Sequence, residues 1–256
     1  MKRIEPFHDR ATVLAQVVPA QTESYTPVSC QLIFETVDRL AKELNLTVTK
    51  EEFLLHGNGQ KQRLRFFFGV GNSDEFIKEL VIINSYDKSI ALRAASGTSV
   101  VVCSNGTILG DIKIYRKHTG TVDEEVENFL RDCFVNMLEI YQHAQETKDR
   151  YCSVHVTAQD IGTILGRLFY EYGYLSSSQL NIVKNQFENP SFDYGVDENS
   201  LWAFYQHLTY SLTREPANDY LENRRGIQEV IANFYQNTTF IDTLNYEEYS
   251  DYEEVN

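Results

Sequence analysis

Seven cationic side chains stand where chemistry with an anion could be done: Arg63, Arg65, Lys88, Arg93, Arg116, Lys117 and His118. Aromatic residues are interleaved with them, Phe67 beside Arg65 and Tyr86 beside Lys88. Cations that meet phosphates and rings that stack on bases are the two parts of a single-stranded nucleic-acid groove. Between Leu54 and Gly120 nine basic residues face five acidic ones, a local balance of about +4 in a chain whose net charge is -14. That contrast makes the segment the natural place for an anion. Among the same cations stand Asn84, Asp87 and Asn105, the last followed by Gly106. Asn and Asp side chains satisfy turn backbones, so these three are read first as turn residues or a polar cluster.

No enzyme signature accompanies them. The chain lacks a phosphate-loop pattern, a Gly-x-Ser-x-Gly and a His-Glu-x-x-His. "FGVGNS" at Phe68 to Ser73 has two glycines at a strand end and no third, the pattern of a turn. Cys30, Cys103, Cys133 and Cys152 are scattered, and Cys152 with His155 is the nearest metal-binding pair. That spacing supports no zinc site, so the cysteines read as reduced thiols and no metal or cofactor is expected. Paired carboxylates such as Glu51-Glu52 read as solvated charge, because catalytic carboxylates must converge on a cleft. A nuclease or hydrolase remains as a third reading.

The elements that must position these residues follow from periodicity. "PFHDRATVLAQVVPAQTESYTPVS" is an irregular arm held extended by Pro19 and Pro27. "VSCQLIFETVDRLAKELN" is a helix capped by Ser29, with Ile33, Val37, Leu40, Ala41 and Leu44 on one face. Two strands flank a turn at His56 to Gln60, and Leu64, Phe66, Phe68 and Val70 share a face of the second. "ELVIINSYDKSIALRAASGTSVVVCSNGTI" reads as strand, turn, strand, short loop, strand and turn, and "GDIKIYRKH" as a further strand. There Ile112 and Ile114 should face inward. Either the strand ends near Tyr115, or Arg116 and His118 continue the inward row as a polar cluster near Arg93 or Asp87.

From Thr121 the period is helical. Thr121 and Glu124 stand in capping-box spacing, and Phe129, Leu130, Cys133, Phe134, Met137, Leu138 and Tyr141 form a stripe. Four more helical segments follow, one carrying Trp202 as a core residue. Strands in a run and then helices in a run give an α+β fold: an antiparallel sheet in the N-terminal half, preceded by one helix and followed by a helical half. Residues 1–120 would form the arm, helix and sheet, 121–240 a helical subdomain packed on it, and 241–256 an acidic mobile tail.

"INSYDKSIALRAASGTSVVVCSNG", followed by "RKHTG" and a long helix, resembles the phage- and plasmid-associated domain-of-unknown-function family 932. "YTPVS" at Tyr25 to Ser29 is similar to that family's entry, and "LWAFYQHLTYSLT" with "NRRGIQEVIANFY" to its C-terminal element. The likeness runs from about Tyr25 to Tyr235 and is most specific over Asn84 to Gly106. Gln206 stands where the family has Asn, and Lys117 interrupts its Arg-His pair. The resemblance implies a protein of a bacteriophage, plasmid or other mobile element, and supplies no activity.

Two functions are therefore expected in competition. One is a non-enzymatic protein that binds nucleic acid, single-stranded in the annealing-protein manner, through the basic sheet. The other is an acidic factor that binds a host or phage protein through its tail, such as an inhibitor of host defence. Neither requires a membrane: no apolar run approaches the ~20 residues of a span, and "MKRIEPFHDR" lacks the apolar core of a signal peptide. The expected location is the cytoplasm, that of the host cell if the gene is a phage's, and a homo-oligomer is compatible with either function.

Overall fold

In the computed structural model residues 7–23, 25–69, 76–100, 106–110, 112–115, 122–213 and 215–250 are described, with backbone alone at 106–109, 123 and 239–250. Ser29 sets the start of the first long helix: its hydroxyl accepts from the Leu32 amide at 3.1 Å, and α2 (Cys30–Glu43) follows. Ile33, Val37, Leu40 and Ala41 are buried on its inner face. The arm before it holds a short helix, α1 (Arg10–Leu14), where the sequence suggested irregular chain. Five residues are too few to display a period; the Asp9 carboxylate caps α1 by accepting from the Thr12 amide. Arg10 then ties the arm down by donating to Asp38 of α2 and to Glu51.

The sheet comprises β1 (Thr47–His56), β2 (Lys61–Gly69), β3 (Phe76–Ser85), β4 (Arg93–Val100), β5 (Gly106–Leu109) and β6 (Lys113–Ile114). The first five lie in sequence order, β6 pairs with β4, and every pairing is antiparallel. Between β1 and β2, Gly57, Asn58 and Gly59 take φ of 58°, 56° and 82°, the left-handed turn that Gly and Asn tolerate.

Two expectations are corrected here. The short loop expected between strands after the Tyr86–Lys88 turn does not fall within Arg93–Val100: β4 runs unbroken there, with Ala94 opposite Ile82 and Gly97 opposite Glu79. Its small residues let the next helix approach, and the Ser96 hydroxyl donates to the Cys133 carbonyl there. The further strand is only Lys113–Ile114, and the inward row ends early: Ile112 is half-buried, Ile114 exposed, and Tyr115 packs edge-on against Phe129.

The helical half comprises α3 (Val122–Cys152), α4 (Ala158–Gly166) with a π-helical turn at Arg167–Glu171, α5 (Ser177–Glu188), α6 (Leu201–Ser211) and α7 (Tyr220–Ser250). Thr157 with Asp160, and Ser176 with Gln179, form the capping boxes that start α4 and α5. Helix α7 carries on through residues 241–250, which the sequence separated as a tail; residues 251–256 lie outside the described residues.

The sheet is covered on both faces. Leu64, Phe66, Phe68, Leu80, Ile82 and Ala94 pack with Ile33, Phe34 and Val37 of α2 and with Leu130 and Phe134 of α3. Val81, Ile83 and Ala95 join Trp202, Leu208, Ile227 and Ile231 of α6 and α7 in a second cluster. Trp202 is fully buried, edge-on to Phe76 at 5.9 Å. Among the described residues no helix is long and apolar enough to cross a membrane.

Candidate functional site

Where β3 ends, the arm crosses it. The Asn84 amide donates to the Val28 carbonyl at 3.0 Å, and the Tyr25 hydroxyl donates to the Ser85 carbonyl at 3.1 Å. The Tyr86 hydroxyl accepts from the Cys30 amide at 2.9 Å, at the first residue of α2. Arm, sheet and helix are thus fastened by the side chains of Asn84 and Tyr86 and by the Ser85 carbonyl. Beside this junction is a cleft of about 260 Å³ lined by Tyr25, Thr26, Asn84, Ser85, Leu92 and Tyr115, with Glu23 as its carboxylate. The Tyr115 hydroxyl donates to Glu125 at 2.6 Å; burial first, and that carboxylate second, raise its pKa.

The β3–β4 turn forms one lip. Asp87 accepts from the Ser89 amide and hydroxyl, bonds that hold its carboxyl below the usual range. Lys88 is exposed at φ 64°, a left-handed conformation uncommon for a lysine, and its ammonium lies 4.8 Å over the Tyr25 ring. Lys61 stands 3.9 Å from Asp87. Arg93 is engaged by Glu222 of α7 in an ion pair between the sheet and the helical half.

Of the expected cations, Arg63 and Arg65 require correction. The sequence offered them to phosphates, and the structure buries both in the interior, at 0% and 1% exposure. Arg65 donates to Glu79 at 2.6 Å and to Glu52 at 2.7 Å, and Arg224 of α7 donates to Glu79 at 2.8 Å. Burial alone would raise the Glu79 pKa; Arg224 and Arg65 together bring it down to about 2. Among the described residues Arg63 has no direct carboxylate partner. It donates to the Thr213 and Glu215 carbonyls at 2.6 and 2.8 Å, where α6 ends, and its guanidinium lies 4.1 Å from the Tyr220 ring centre. Burial pulls its pKa down to about 10, so it stays charged at neutral pH. Neither arginine of β2 is therefore open to a nucleic-acid strand.

Sequence reasoning missed Glu215 at the edge of this cluster. One of its oxygens accepts from Asn223 at 2.6 Å and from Gln179 at 3.3 Å, while Oε2 is buried with no hydrogen-bond partner. Burial pushes its pKa up to about 7. A carboxylate just after a helix and before a proline carries no period or motif that would have marked it.

Arg116, Lys117, His118 and Asn105 lie outside the described residues, as do Thr121 of the expected capping box, Val70, and Cys103. Cys30 and Cys133 are buried thiols whose pKa values burial raises, that of Cys133 to about 12. Among the described residues no three His, Cys, Asp or Glu side chains are placed to hold a metal ion.

The cleft thus gathers residues from two of the segments on which the resemblance rests, Tyr25 to Ser29 and Asn84 to Gly106. No curated protein and no solved structure matches the chain. The family model described as Domain of unknown function (DUF932) matches residues 19–231, so the chain belongs to that family.

Proposed function

We propose that the protein is a non-enzymatic accessory factor of a phage or plasmid that binds single-stranded nucleic acid at the cleft between the arm and the β3–β4 turn. The mobile-element part of this reading rests on the family likeness alone. The observation that carries the binding part is Lys88 held over the ring of Tyr25, which lines the cleft. A base stacking on Tyr25 would release the ammonium toward the neighbouring phosphate, so one ring and one cation serve one nucleotide. Lys61, at the start of β2 and 3.9 Å from Asp87 of the β3–β4 turn, offers a second cation. With Arg63 and Arg65 inside the protein, the contact is short and engages few phosphates.

Anisotropy of a short fluorescent single strand, read at two salt concentrations, tests this. The expected slope of log affinity against log salt is about -0.7 per phosphate, so roughly -1.4 for two contacts. Lys88→Ala lowers the affinity and flattens the slope. Absence of binding at low salt overturns the reading.

A second reading, an acidic factor that binds a host or phage protein, gains from the burial of Arg63 and Arg65, which removes two of the nine cations of the basic segment from the surface. Pull-down from host lysate supports it if a partner persists after nuclease treatment, and partners lost with the nucleic acid count against it.

A further inference from the structure

A second cavity, of about 400 Å³, lies in the helical half between the end of α5, the loop 189–200 and α6. Its walls are rings: Phe187 sits edge-on to the His207 imidazole at 4.9 Å, Tyr194 meets the same imidazole at 6.2 Å, and Phe192 lies 6.5 Å from Tyr194. Among the described residues Asp193 and Glu198 are its only charged lining groups, both exposed, and no lysine or arginine lines it. His207 is 3% exposed, and its Nδ1 is buried with no hydrogen-bond partner. Burial lowers its pKa to about 4, so at neutral pH the ring is uncharged.

The loop that closes the cavity is fixed in place. Gln186 donates to the Ser191 hydroxyl at 2.9 Å and accepts from the Ser191 amide at 3.1 Å. The Asp193 carboxylate accepts from the Gly195 amide at 2.8 Å, and Asp197 from the Asn199 amide at 3.0 Å. Ser200 then caps α6 by accepting from the Ala203 amide at 3.2 Å. A buried imidazole nitrogen without a partner is a cost that a ligand's donor would remove.

We propose that this cavity is a binding site for a small organic cation of the alkylammonium class. Its apolar body lies among Phe187, Phe192 and Tyr194. Its charge faces their π-electrons and the Asp193 and Glu198 carboxylates, and a hydroxyl or N–H on the ligand meets His207 Nδ1. The negative rim disfavours a phosphorylated ligand, and an uncharged His207 removes the one group that would repel a cation. This site is independent of the nucleic-acid reading.

Isothermal titration of the full chain with choline and with the larger cation benzyltrimethylammonium tests it, 3,3-dimethylbutan-1-ol serving as choline's uncharged isostere. Choline is expected to bind about tenfold more tightly than that isostere. Asp193→Asn with Glu198→Gln should weaken the cation several-fold and leave the isostere unchanged. Asn at 193 can still accept from the Gly195 amide, so the loop and the thermal midpoint should hold. Phe192→Ala should weaken both ligands. Binding by neither cation overturns the proposal. So does equal binding of cation and isostere, which marks an apolar hollow without charge selection, or cation binding that the rim variants leave unchanged.

Discussion

The two faces of β2 are opposites. Leu64, Phe66 and Phe68 point into a dry layer against α2 and α3, where Phe66 meets Phe34 and Phe53 at 5.8 and 5.5 Å. Arg63 and Arg65 alternate with them and are as deeply buried on the other side. There the partners come from across the chain: Glu52 and Glu79 on the adjacent strands, and Arg224, Thr213, Glu215 and Tyr220 from the helical half. One face joins sheet to helix by area, the other by charge and hydrogen bonds. Area tolerates exchange of similar side chains. A buried charge does not tolerate loss of its partner. The second face therefore fixes how the helical half sits on the sheet more stringently than the first.

The comparison breaks most directly at Glu79. Glu79→Ala strands Arg65 and Arg224 without their shared carboxylate, with an expected loss of ~3–5 kcal/mol in urea unfolding. Leu64→Ala on the dry face should cost ~2–5 kcal/mol, but Leu64→Met under ~1.5 kcal/mol. Arg65→Met has no such leniency, since it leaves Glu52 and Glu79 behind. If Arg65→Met and Leu64→Met destabilise alike, the distinction between the faces fails.

Acidity sharpens it further. Glu215 has a folded pKa of about 7 against an ordinary 4.5. The folded state holds that proton more tightly, so its contribution is complete below pH 4.5 and is lost as pH rises to about 7, with a span of ~1–3 kcal/mol. Glu79 runs the other way: its folded pKa of about 2 lies below 4.5, so its contribution is present above pH 4.5 and is lost as pH falls toward 2. Thermal midpoints should fall on both sides of roughly pH 4.5, and Glu215→Gln should remove the decline on the neutral side alone.

The smallest stability change is expected at Lys88, outside both faces. Lys88→Gly relieves a left-handed backbone and should leave stability unchanged or raise it by up to ~1 kcal/mol, while weakening the single-strand binding proposed above. A fall in stability together with binding would make Lys88 a structural residue.

The helices and most strands were legible because their signals are local. Ser29 as a cap, the α2 face, the Gly57–Gly59 turn and the antiparallel order need only neighbours in sequence. Asn84 and Asp87 were read as turn residues; Asp87 caps its own turn, and Asn84 fastens the arm instead. The small residues Ala94 to Gly97 carry little strand signal of their own, and the helix that lies on them comes from later in the chain. The candidate site was half legible: Lys88 was singled out, and Tyr25 was marked only by family likeness.

What the sequence determined by itself is the long helices, most of the strands, their order and the alternation along the strands, since helix and strand periods, caps and turns are set within a few residues of one another. Only the tertiary structure decided where the cations go. An arginine alternating along a strand looks the same whether it faces water or a buried glutamate. The choice is made by Glu79 on the next strand and by Arg224 and Tyr220, more than a hundred residues away, whose charge and ring make burial cheaper than exposure.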